Sequence, residues 1–209
     1  MTKKENSTTI LTKNEIKQLL KEKKLLIDPI LDEKQQIHDV SIDLRLDTYV
    51  TLLKPLTIEN IDPLKQTQLP EYTEQIELDP HQDKLILHPQ TLVIAQTLEY
   101  VKLPDNIYGI LDGRSSLARL GLLIHATAAS IDPNYEGHIS FEIINLSKTS
   151  IILYPLMRVA RLTLFKLPKP TPKTTKHKYD YNTKPQPSKI SQDPDLQTIK
   201  KLRQNPYTP

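Results

Sequence analysis

The chain reads as a mainly β protein, an all-β barrel or sandwich with a short N-terminal helix and a polar C-terminal tail. Apolar residues alternate with period two in many short runs, and turn-forming strings such as HPQ, PDN and IDPN separate those runs. Its 209 residues suffice for one domain with a proper core and are too few for two large ones. Cysteine is absent, which excludes disulfides and thiolate metal sites. The formal charge is only +3, with both signs mixed along the chain, so the sequence predicts no nucleic-acid partner. No apolar run approaches a membrane span and the N-terminus lacks a signal-peptide core, so the expectation is a cytoplasmic protein that does not engage a membrane.

Thr12, Lys13, Asn14 and Glu15 form a capping-box pattern, and Ile16, Leu19 and Leu20 follow at helical spacing. A helix over about residues 13–22 follows from them. Residues 41–47 alternate almost perfectly, with Ile42, Leu44 and Leu46 inward and Asp43 and Arg45 on what reads as a solvated face. Residues 54–83 are polar, contain proline and hold no period, which suits an insertion or a long hairpin arm. Strands are expected at 84–88, 91–96, 99–103 and 107–111, divided by turns at HPQ, at Thr97-Leu98 and at PDN, and again at 150–154 and 158–165. From Pro168 the composition shifts to a glycine-free, basic tail poor in large aliphatics. The expected organisation is therefore a β-barrel domain over 1–167 and a flexible tail over 168–209.

The densest chemistry lies in residues 112–145. Gly113, Arg114, Ser115 and Ser116 offer pliant backbone, a guanidinium and two hydroxyls, a set suited to phosphate oxygens. Arg119 shares a face with Ser115 if SSLARL is helical; otherwise Ser115 simply caps a helix and both arginines are solvated. Asp132 either forms an Asx turn in the Ile-Asp-Pro-Asn string or holds a sugar hydroxyl. Alternation over 138–144 puts Ile139, Phe141 and Ile143 on one face and Glu142 on the other. A half-buried Glu142 has a raised pKa and suits general acid/base work; an edge-strand glutamate facing water is the alternative.

GRSSLARLGL, HATA and IDPNYEGHISFE, in this order and spacing, closely resemble the motifs of dCTP deaminase, a member of the trimeric dUTPase-like superfamily. The Ser-x-Asp-x-Arg-Leu string at 41–46 resembles the first motif of that family. In the tail, Lys178, Tyr179, Asn182, Pro185, Pro187 and Ser188 are similar to its K-Y-x-x-Q-x-x-P-x-P-S pattern, with asparagine in place of glutamine. The resemblance implies a distorted β-barrel or jelly-roll of the dUTPase-like type, a homotrimer whose active sites lie at subunit boundaries, and a tail that closes over bound nucleotide.

The activity it implies is zinc-independent hydrolytic deamination of dCTP to dUTP and ammonia, supplying dUTP for dUMP and dTTP synthesis. Without cysteine the chain cannot supply the zinc set of the nucleoside deaminases. Carried over residue by residue, Glu142 is the base, with Ser115 and Arg119 as its catalytic partners. Arg114, Ser116, Lys178, Tyr179 and Asn182 contact the nucleotide, Asp132 holds the 3′-hydroxyl, and His125 sits where the family switches to a dTTP-inhibited form. Mg²⁺ is bound with the triphosphate.

The chain departs from the family at Asn134, at the Tyr154-Pro155-Leu156-Met157 turn where the pattern has glycine at 156, and at Ala129-Ser130 before Ile131. That last pair matches neither the purely deaminating members nor the bifunctional ones that go on to dUMP and pyrophosphate. Three readings stand: a deaminase releasing dUTP, a bifunctional deaminase and diphosphatase, and a catalytically silent nucleotide-binding regulator. The first is preferred at this point.

Overall fold

The fold is that of a computed structural model and is described for residues 7–54, 61–64, 72–172, 178–179 and 181–204. Twelve strands and four helices alternate along these residues: β1 (Thr9–Ile10), α1 (Lys13–Lys21), β2 (Leu26–Asp28), α2 (Glu33–Gln36), β3 (Ser41–Leu53), β4 (Thr73–Glu77), β5 (Leu85–Leu87), β6 (Leu92–Lys102) and β7 (Ile107–Gly113). There follow α3 (Ser115–Ala118), β8 (Leu122–Leu123), β9 (Ser130–Ile131), β10 (Glu136–Asn145), β11 (Ile151–Leu153), β12 (Arg158–Lys166) and α4 (Asp195–Gln204). The structure is mostly β, a curled half-barrel sheet, in agreement with the expected mainly β class.

Helix α1 begins where the capping box placed it. The Thr12 amide donates to Glu15 Oε2 at 2.9 Å and its hydroxyl donates to the same oxygen at 2.7 Å. Ile16 is fully buried, with Leu19 and Leu20 packed against the core beside it. The large sheet runs β8-β10-β6-β3-β12-β7-β9, with β1 added to β12, β2 to β6 and β4 to β3, while β5 and β11 pair separately. Leu44, Leu46, Ala95, Phe141, Ile143 and Leu162 are wholly enclosed between the curled faces, which is where period-two alternation sends them.

Two expectations about the strands are corrected. Thr97-Leu98 is not a turn but the middle of the continuous strand β6. The Thr97 hydroxyl donates to the Glu99 carbonyl at 2.6 Å and accepts the Ile139 amide at 2.9 Å, so a side chain repairs the ladder where the β10 register shifts between His138 and Ser140. Asp43 and Arg45 are not on a solvated face. Asp43 is fully buried and Arg45 half-buried, because β3 lies between β12 and β6 and its outer face is covered by α2 and arginine side chains.

The polar stretch after β3 returns as β4, which pairs with β3 from Tyr49 opposite Glu77 to Leu53 opposite Thr73, a hairpin arm as expected. Residues 55–60 and 65–71 of that stretch lie outside the described residues. Asn134 takes φ 65°, the left-handed conformation that asparagine tolerates. Leu156 takes φ 67° in the position of the family glycine, held there by its amide on the Leu46 carbonyl at 2.8 Å and by Arg45 Nη1 on its own carbonyl at 2.7 Å.

The tail differs from its compositional reading. Thr183 to Gln186 lie on the barrel, Pro185 is buried, and residues 195–204 form α4, whose Leu196, Ile199 and Leu202 recur at helical spacing within a strongly polar sequence.

Candidate active site

A cavity of about 630 Å³ opens between the sheet, the hairpin arm and the tail. Leu92 and Ile94 of β6 and Ile139, Ser140 and Glu142 of β10 form one wall; Ile131 and Tyr135 of the Ile-Asp-Pro turn form another. Leu53, Tyr72 and Thr73 close the arm side, and Tyr179, Gln186, Pro187 and Ser188 of the tail cross the mouth.

Alternation along β10 explains why Glu142 is there. Phe141 and Ile143 point into the core, so Ser140 and Glu142 point the other way into the cavity. The Glu142 carboxyl is raised above its ordinary range, chiefly because an apolar surround disfavours its charge; the Ala126 amide, its own backbone amide and His125 act in the opposite direction. It is half-buried rather than in open water, and it lies opposite Ile94 on the adjacent β6. A carboxyl of raised pKa in an apolar cavity wall is what proton transfer near neutral pH requires.

His125 lies beside this carboxyl, with Nε2 4.0 Å from Asp112 Oδ1 and with Nδ1 buried and lacking a hydrogen-bond partner. Asp132 is exposed, next to the lining residue Ile131, and its carbonyl accepts the Tyr135 amide at 3.1 Å, closing the turn.

The structure does not bring Ser115, Ser116 and Arg119 into the cavity of their own chain. Ser115 and Ser116 open the single-turn helix α3 and Arg119 caps its end; all three are exposed, and none lines the cavity with Glu142. Arg114, not a serine, occupies the N-cap position of α3. Its guanidinium is turned inward, with Nε 3.2 Å from Asp43 Oδ2 and Nη1 donating to the Arg158 carbonyl at 2.9 Å.

The tail is seated by backbone carbonyls. Thr51 Oγ1 and Gln75 Nε2 both donate to the Pro185 carbonyl, at 2.9 and 3.1 Å, and Gln96 Nε2 donates to that of Thr183 at 3.1 Å. The Tyr181 amide donates to the Glu136 carbonyl at 2.8 Å, and the Asn182 carbonyl accepts the His138 amide at 3.5 Å. Gly137 permits this crossing: a Cβ there would stand 3.3 Å from the Tyr181 amide nitrogen, at a φ of 150° that side chains disfavour. Asn182 Nδ2 is buried with no partner. Tyr179 reaches the cavity, with its hydroxyl accepting the Lys189 amide at 3.0 Å, whereas Lys178 Nζ donates to Asp193 Oδ2 at 2.8 Å within the tail.

Among the described residues no group of three or more His, Asp or Glu could hold a metal ion. The residues present suit an ion carried in by phosphate oxygens and waters better than one caged by the protein. Sequence reasoning passed over Ser140, Ile139 and Gln186 as cavity residues. For Ser140 the signal was already present, two residues before Glu142 on the same face, whereas Ile139 lies on the opposite face by alternation, beside the register shift between His138 and Ser140.

Residues 10–167 match the family model described as dCTP deaminase-like. A protein of Methanosphaera stadtmanae named "dCTP deaminase, dUMP-forming" is 42% identical over 193 residues, covering 90% of this chain and 96% of its own. A protein of the same name from Dictyoglomus turgidum is 39% identical over 188 residues, covering 88% and 96%. Among solved structures, the 2′-deoxycytidine 5′-triphosphate deaminase of Agrobacterium tumefaciens shares the fold with a TM-score of 0.61 at 21% identity, over 76% of this chain and 47% of that one, so this chain spans about half its length.

These relatives overturn the expectation that dUTP is the released product, since the names they carry are dUMP-forming. The pair Ala129-Ser130, which matches neither class of family member, does not decide the product. Ser130 is exposed, with its hydroxyl 2.7 Å from that of Tyr108, and does not line the cavity.

Proposed function

As this chain belongs to the dCTP deaminase-like family, we propose that it converts dCTP to dUMP, ammonia and pyrophosphate through two hydrolyses in one site. The observation that carries the reading is Glu142, a carboxyl of raised pKa in the wall of a cavity large enough for a nucleotide.

In the first hydrolysis Glu142 takes a proton from water as the oxygen attacks the ring carbon bearing the amino group. Glu142 passes that proton to the ring nitrogen, where it stays, and then carries the proton of the added hydroxyl to the amine, which departs as ammonia while the hydroxyl becomes the carbonyl. Positioned proton transfer of this kind is worth about 10²- to 10⁴-fold. In the second, Asp132 and Glu142 orient a water toward the α-phosphate, and the P–O bond to the β-phosphate breaks to release pyrophosphate. Mg²⁺ bound with the triphosphate would be held by phosphate oxygens and waters and would offset their charge. Tyr179, Asn182 and Lys178 close over the nucleotide, Lys178 exchanging Asp193 for a phosphate. His125, beside Glu142, is the candidate for dTTP-dependent switching.

Ser115, Ser116 and Arg119 complete the site from a neighbouring subunit of a homotrimer. Their exposure on α3, away from the cavity of their own chain, supports this sharing. Mixing Ser115→Ala and Glu142→Gln variants, each inactive alone, should restore up to about a quarter of native ammonia release once subunits exchange. No recovery after demonstrated exchange would refute the shared site. Glu142→Gln should still bind dCTP, and substantial deamination by that variant would refute its role as the base.

A further inference from the structure

We propose that Asp43, on a strand remote in sequence from every nucleotide contact named above, is a positioning residue for triphosphate binding, acting through Arg114. The inference rests on the reading of Arg114 as a phosphate contact.

Asp43 lies on β3 with no exposed surface. Its Oδ2 stands 3.2 Å from Arg114 Nε, 3.2 Å from Arg158 Nη1 and 3.1 Å from His38 Nε2, and its Oδ1 accepts from Arg161 Nε at 3.0 Å. One carboxylate thus gathers three guanidinium groups. Within this group the arginines exceed the carboxylate by two charges, so the cluster retains a positive field toward solvent.

Arg114 is the member that leads to the substrate. It precedes Ser115 and Ser116 directly, its amide donates to the Val159 carbonyl at 3.3 Å, and its Nη1 donates to the Arg158 carbonyl at 2.9 Å. A guanidinium has five N–H donors in a rigid fork. Asp43 makes an ion pair at Nε and the Arg158 carbonyl accepts an N–H of Nη1, and together they hold the guanidinium in place with donors left over for an incoming oxygen. The side chain retains 28% of its surface. Arg114 therefore meets a phosphate in a preset orientation and loses little side-chain freedom on binding. Removing Asp43 keeps the positive charge and releases the fork.

The test compares steady-state kinetics of the full-length protein with dCTP and Mg²⁺ for Arg114→Gln, Asp43→Asn, Asp43→Glu and the double variant Asp43→Asn/Arg114→Gln, with thermal melts alongside. Arg114→Gln and Asp43→Asn should each raise KM roughly tenfold while kcat stays within about threefold, and the double variant should be no worse than Arg114→Gln. Asp43→Glu keeps the charge and should recover most of the KM; it also serves if Asp43→Asn does not fold. A native KM in Arg114→Gln would remove the phosphate reading itself. A raised KM in Arg114→Gln beside native KM in the folded Asp43 variants would overturn the positioning role alone, as would fully additive effects in the double variant.

Discussion

Gln36 Nε2 donates to Glu99 Oε1 at 2.8 Å, across 63 positions of sequence and with both side chains fully buried. Glu99 Oε2 accepts the Arg45 amide at 2.9 Å, and burial, opposed mainly by that bond, pushes the carboxyl up to about 7.

Stability should therefore fall as pH rises from about 4.5 to 7. In that window the unfolded chain has released the Glu99 proton and the folded chain still holds it, so the contribution is complete below the unfolded pKa and lost through the folded one. The size is a few kcal/mol at most, roughly 1.4 kcal/mol per unit of difference. Urea denaturation of the native protein and of Glu99→Gln at pH 5 and pH 8 checks this. The variant should show the smaller difference between the two pH values, and equal slopes would remove Glu99 as the cause.

Activity should run the other way with pH. Glu142 must be ionised to act as base, and burial raises its pKa, so kcat/KM should decline on the acid side at a pH above the ordinary glutamate range. His125 acts against that rise. His125→Leu should shift the acid limb to higher pH, read from full pH profiles of ammonia release; an unmoved limb would remove His125 from the electrostatics of the base.

Leu156→Gly should stabilise the fold. Leucine at φ 67° carries a backbone cost of about 1–2 kcal/mol that glycine avoids, and Leu156 is only half-buried, so the net gain is on the order of 0.5–1 kcal/mol. A lower melting temperature in the variant would show that leucine packing outweighs the strain.

Truncation before Tyr179 should raise the nucleotide KM by at least about tenfold, since the tail supplies Tyr179, Gln186, Pro187 and Ser188 to the cavity. The melting temperature of the barrel should change little, because the tail is joined to it chiefly through a few hydrogen bonds, such as those from Thr51 and Gln75 to Pro185. Unchanged kinetics would mean that the tail does not take part in binding.

Local pattern carried most of the architecture. The capping box located α1, and period-two alternation separated Phe141 and Ile143 from Glu142. Three features depend on partners distant in the chain and left no local trace. Thr97 continues β6 because its hydroxyl meets the Ile139 amide, 42 positions on. Asp43 is buried because Arg158 and Arg161 arrive from β12. The tail looked unstructured because its composition is polar, yet it is held through backbone carbonyls, which composition does not report. At the site, Glu142 was legible from its strand and Tyr179 from its motif, while the separation of Ser115 and Arg119 from Glu142 within one chain was not.

The most direct measurement of the central claim is to incubate the purified protein with dCTP and Mg²⁺, assay ammonia and resolve the nucleotides by ion exchange. Two hydrolyses in one site predict dUMP, pyrophosphate and ammonia in equal amounts without accumulation of dUTP. Ammonia accompanied by accumulating dUTP, or dCTP left unchanged by folded protein, would contradict it.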